Sequence, residues 1–93
     1  MMSKVYSLTD TLNMMSSDDY KERFLAEYIQ VCVRLSKLTN MLEQLDNNTL
    51  SFEPDCPSEL LRKQVDVMLE YGKILQERAK YEEIELPSAL YIR

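Results

Sequence analysis

The sequence predicts an all-α protein: a short N-terminal helix plus two long antiparallel helices, assembling as a compact helical homo-oligomer. Three observations carry that reading. Phe24, Tyr28, Val31, Leu35, Leu38, Leu42 and Leu45 recur at alternating steps of four and three, which is a helix-packing seam. Both long stretches also carry a second apolar row about a hundred degrees further round the helix. Leu25, Ile29 and Cys32 form it on the first stretch; on the second, Leu60, Val67, Tyr71, Ile74 and Tyr81 run beside Leu61, Val65, Met68 and Leu75. One partner helix covers one face, so the remaining rows call for other copies of the chain. Finally, 93 residues make a single domain that is too small to bury a large core alone.

The elements follow from the punctuation of the chain. Residues 1–16 form an N-terminal extension in which Ser7 to Asp10 reads as a capping sequence, so a short helix is expected over 8–15, ended by Ser16 and Ser17. Ser16 with Asp19 three residues later reads as the N-cap of a long helix over 17–45, and Asp18 and Asp19 suit its positive end. Asp46, Asn47 and Asn48 stop it. After the loop, Pro57 fits the first turn of a second long helix over 57–83, with Glu59 favourable beside it. Pro87 blocks continuation, leaving 84–93 as a tail. Gly72, the one glycine, costs on the order of 1 kcal/mol relative to alanine inside a helix. It shares a row with Met68, Leu75 and Ala79, so a close helix crossing is expected there.

Composition removes several function classes. At 45% hydrophobic and 29% charged residues the chain is not disordered by default. No apolar run is long enough for a bilayer, and MMSKVYSLTDTLNMM lacks a continuous apolar core and a small-residue cleavage site. No membrane partner and a cytoplasmic location are expected. Cys32 reads as a buried thiol and Cys56 as a loop or helix-cap thiol, with no metal-ligand spacing around either. With no histidine and one glycine, zinc chemistry, histidine acid–base chemistry and glycine-rich phosphate loops are missing. The sixteen carboxylates are spread along helix faces, and adjacent pairs such as Asp18–Asp19 and Glu82–Glu83 point apart. No catalytic residue, metal or cofactor is expected, and the chain is read as no enzyme. A net charge of −5 argues against polymeric nucleic acid, which requires clustered cations. It leaves room for a small anion in a local cationic pocket, and Tyr20, Arg23, Glu27, Arg34 and Lys37 border the apolar seam along one flank.

Tyr20 followed by Arg23, Lys37-Leu38 before Met41-Leu42, and Leu61, Gln64, Met68, Tyr71, Ile74, Leu75 and Arg78 in the last helix give the chain a known look. Over roughly residues 18 to 84 it resembles the phage anti-CBASS sponges, small helical proteins that sequester the cyclic oligonucleotide signals of CBASS defence. The resemblance implies a homohexamer that binds a cyclic dinucleotide such as cGAMP between subunits, with a separate site for cyclic trinucleotides, and does not cleave either. It also implies roles: Tyr20 stacks on a base, Lys37 or Arg34 meets a phosphate, and Arg78 belongs to the trinucleotide site. The chain departs from the family in its longer N-terminal extension and in the loop NNTLSFEPDC.

Geometry favours a shared pocket independently. Tyr20 and Lys37 are seventeen residues apart, about 25 Å along one helix, too far to hold one small ligand together. Long helices packed antiparallel across a two-fold axis would bring Tyr20 of one copy toward Lys37 of another, giving two equivalent half-sites. Two other classes remain from the sequence: an acidic helical inhibitor of a host nuclease or defence complex, and a ligand-free structural adaptor.

Overall fold

The computed structural model describes residues 6–93; the first five residues of the N-terminal extension lie outside them. Ser7 donates its backbone N–H to the Asp10 carboxylate at 2.9 Å, as its capping sequence predicts. The expected helix over 8–15 is nevertheless split into a 3₁₀ turn, Leu8–Thr11, and one α turn, α1, Leu12–Met15. Thr11 donates its hydroxyl to the carbonyl of Leu8 at 2.6 Å, a local side-chain bond that suits the tighter turn.

The first long helix, α2, spans Tyr20–Asp46, and its N-cap is Asp19 rather than Ser16. The Ser17 hydroxyl accepts the Asp19 N–H at 3.1 Å, and the Asp19 carboxylate accepts the Lys21 N–H at 2.9 Å. Those two bonds keep residues 17–19 outside the helix and satisfy its first free donor. Asn47 caps the other end and Asn48 takes a left-handed φ of 59°, which asparagine tolerates better than most residues. The second long helix, α3, spans Ser58–Glu82 and runs antiparallel to α2. Glu83 ends it in a left-handed conformation, with the Ile84 N–H on the Ala79 carbonyl at 2.9 Å, the wrapped closure of a Schellman motif.

The predicted seam is the core. Phe24, Tyr28 and Val31 of α2 cluster with Cys32 and with Leu75 and Ala79 of α3, Leu35 and Leu42 are buried further along, and Leu38 and Leu45 are half-buried. The second row of α2 does not wait for another copy. Gln30 donates to the buried Thr11 hydroxyl at 3.0 Å, bringing the N-terminal segment over one side. On the other, Ile84, Leu86, Leu90 and Ile92 pack against the core cluster, so the tail 84–93 is a third layer, carrying a 3₁₀ turn over Ser88–Leu90.

Gln76 holds that layer in place. Its side-chain NH₂ donates to the Ile92 carbonyl at 3.0 Å, and its oxygen accepts the Ile92 N–H at 2.6 Å. The single Tyr28 hydroxyl proton sits between two acceptors, Gln76 Oε1 at 2.7 Å and the Leu90 carbonyl at 2.9 Å. Gly72 serves the same contact. A Cβ there would collide with Ile92 Cδ1, while the nearest α2 atom, Val31 Cγ1, is 4.0 Å away. The expected close helix crossing is therefore corrected: Gly72 makes a seat for the tail.

Burial also sets an alkaline limit on stability. It pushes the Cys32 thiol above its ordinary value of 9.0 and, with Cys32 beside it, the Tyr28 hydroxyl well above 10.0. Both are neutral acids held neutral, so the unfolded chain loses these protons first. Their contribution is fully present below about pH 9 and declines as pH rises further. Urea midpoints should match between about pH 7 and pH 8.5 and fall by about pH 10, and Cys32→Ala should make the fall shallower. A midpoint unchanged at the alkaline end would contradict this account.

Candidate ligand-binding site

Tyr20 is the first residue of α2 and is 46% exposed, so its ring is partly open to solvent. Nearby, the Arg78 guanidinium carbon lies 4.8 Å from the centre of the Phe24 ring, within cation–π range. Arg78 also grips Glu82 one turn on, Nε to Oε2 at 2.8 Å and Nη2 to Oε1 at 3.3 Å. Its charged form is reinforced chiefly by that hydrogen bond, is opposed by desolvation, and is further favoured by Glu27 and Tyr20 acting through space. The carboxylate of Glu27 accepts the Tyr71 hydroxyl. Tyr20, Arg78, Glu27 and Tyr71 thus form one patch where the start of α2 meets the end of α3.

Arg34 and Lys37 lie further along α2. They are exposed, three residues apart and hence neighbours on the helix surface. Three of the arginines are committed: Arg62 pairs with Asp46 at 2.5 Å, Arg78 with Glu82, and Arg23 donates to the Ser17 carbonyl at 2.6 Å. Among the described residues Arg34 and Lys37 make no such bond. Two uncommitted cations side by side can each give a phosphate a charge-assisted hydrogen bond. Lys37 borders a shallow depression of about 420 Å³ with Ser36, Thr39, Asn40 and Glu43.

The four residues singled out from the sequence therefore fall into two places. Tyr20 and Arg78, assigned to different ligands by the resemblance, share one patch, while Arg34 and Lys37 sit on another part of α2. One chain does not bring Tyr20 and Lys37 together, because α2 is continuous between them. The sequence reading missed the Glu27–Tyr71 link. Its signal was Tyr71 in an apolar row, but the residue facing it depends on how the two helices align.

A family model describing Sequestin matches residues 18–81. This chain belongs to the Sequestin family. The family's name suggests a sequestering protein that binds a small ligand, in line with the sponge resemblance. The Sequestin match takes in nearly all of the α2–α3 hairpin and every residue named above except Glu82 and Ser17. Most of the N-terminal segment and the whole tail lie outside it. No curated protein and no solved structure matches the chain. Among the described residues no group of three or more histidine, cysteine, aspartate or glutamate side chains is placed to hold a metal ion, and no helix is long and apolar enough to cross a membrane.

Proposed function

We propose that this protein is a phage anti-defence sponge: it binds cyclic oligonucleotide signals, holds them without cleaving them and so blocks CBASS immunity. The family match over residues 18–81 carries the reading, because that span contains Tyr20, Arg34, Lys37 and Arg78. A cyclic dinucleotide has two bases and two phosphates in roughly two-fold arrangement. An exposed tyrosine supplies a stacking face, and an uncommitted Arg34–Lys37 pair supplies phosphate contacts. Two copies related by a two-fold axis supply both features twice, which one copy cannot do across about 25 Å. Hexameric assembly belongs to this proposal, as does the absence of catalysis.

Calorimetry against a panel of cyclic di- and trinucleotides, with linear dinucleotides as controls, tests the ligand class. Tight binding of a cyclic member and recovery of that molecule intact after heat denaturation are expected. Absence of binding across the panel overturns the ligand assignment, and time-dependent hydrolysis proportional to protein overturns the sponge mechanism. Light scattering on the purified protein should give a mass of about six chains; a monodisperse monomer at micromolar concentration removes the shared pocket.

A further inference from the structure

Apart from Tyr71, which is bonded to Glu27, the second apolar row of α3 is left exposed among the described residues. Leu60, Val67, Ile74 and Tyr81 recur at every seventh position and are 56%, 58%, 53% and 89% exposed. A helix of 3.6 residues per turn drifts only about 20° per seven residues, so these side chains form one stripe about 32 Å long. Tyr71 lies beside it, three residues from Ile74 and four from Val67, and Gln64 and Arg78 continue that second line at the same spacing. Together the two lines have the three-four geometry of a two-stranded seam. On α2 the Thr11 turn and the tail cover the corresponding face, whereas no described residue covers the stripe on α3.

We infer that this stripe is a contact between two copies of the chain, with their α3 helices antiparallel about a two-fold axis near Leu69 and Glu70. The occupant is read from charge. Lys63, Glu70 and Glu77 flank the stripe on its solvent side, each three residues after a stripe position. Setting Val67 against Tyr71 of the second copy also sets Ile74 against Gln64 and Leu60 against Arg78. That alignment places Lys63 opposite Glu77 of the second copy, and symmetry repeats the pair. Two attractive contacts then outweigh one Glu70–Glu70 contact at the axis. Sliding by seven residues in one direction puts Glu70 against Glu77 twice. Sliding the other way sets Lys63 against Glu70 twice but shortens the overlap of the two helices by seven residues, carrying Ile74 as well as Tyr81 past the start of the partner helix. A parallel arrangement turns these charges toward the flank of Met68 and Leu75, which offers them no opposite charge. Arg78 lies on the seam, so the second copy also walls the Tyr20–Arg78 patch.

The inference rests on the self-association in the proposed function and is independent of the ligand. Its test uses two charge reversals in the full chain, Lys63→Glu and Glu77→Lys, followed by sedimentation at low salt, where exposed charges are least screened. Each variant alone turns both attractive contacts repulsive and should weaken association on the order of tenfold. Mixing the two variants joins opposite charges at both contacts and should restore association to near the parent's strength. Ile74→Glu should weaken association in a way that mixing with either charge variant does not repair. Singles that associate as tightly as the parent, or a mixture no better than the singles, overturn the seam. A monomeric parent assigns the stripe to some other occupant and overturns it as well. Loss of cyclic nucleotide binding in a protein that passes the mixing test affects only the ligand reading.

Discussion

Gln76→Leu should lower the unfolding free energy by about 3 kcal/mol, the largest stability effect expected from a single uncharged substitution of similar size in this chain. Gln76 is 6% exposed, and its amide makes both hydrogen bonds to the Ile92 peptide as well as accepting from Tyr28. Leucine fills similar volume but can neither donate nor accept. The Tyr28 hydroxyl keeps the Leu90 carbonyl as an acceptor, but the Ile92 N–H and C=O lose their partners. Each buried polar group left unpaired costs about 1–3 kcal/mol. If the tail lets go instead, those groups return to water and the loss becomes the docking free energy of Ile84, Leu86, Leu90 and Ile92. Either route should cut Tm by about 15 °C in a chain of this size. The second route adds easy proteolysis at the C-terminus. A change below about 0.5 kcal/mol in chemical denaturation would show that Gln76 does not anchor the tail.

Tyr20→Ala and Lys37→Ala should each weaken cyclic dinucleotide binding at least about tenfold. Loss of a stacking platform costs about 1–3 kcal/mol per base, and a two-fold site loses it twice. Removing a phosphate partner acts through a charge-assisted bond. Tyr20→Phe should bind nearly as the parent, because the ring face survives. Arg34→Ala tests the competing phosphate assignment, and Arg78→Ala the assignment to a trinucleotide site. Because Tyr20, Arg34 and Lys37 are exposed and lie off the α3 stripe, their changes should leave Tm and oligomer mass close to the parent's. Parent-like affinity in both Tyr20→Ala and Lys37→Ala would remove the site, whatever the assembly state.

The site was partly legible in advance because stacking rings and cations on a helix flank follow from spacing alone. Arg34 and Lys37 are neighbours on any helix that contains both. Whether each cation was already committed was not legible. Arg62 and Arg78 look as free as Lys37 in the sequence, yet each is paired with a carboxylate. For Arg78 that partner is a local one, Glu82, and for Arg62 it is Asp46 on the opposite helix. Such long-range pairings depend on the offset between two helices, which periodicity does not specify.

The two long helices, their apolar seams and the loop between them follow from the sequence, because a four-three repeat and the turn chemistry of Asn47, Asn48 and Pro57 are local properties of the chain. Tertiary structure alone decided what covers each second face. On α2 it is the N-terminal segment and the tail, and the tail's role rests on contacts between residues sixteen to sixty-two positions apart, such as Gln76 with Ile92 and Tyr28 with Leu90. Gly72 shows the same division: its cost inside a helix is visible in the sequence, but the Ile92 side chain that occupies its missing Cβ is visible only when the chain has folded back. The Leu60–Tyr81 face of α3 stays open to solvent among the described residues, since the tail seats on Gly72 and Gln76 instead.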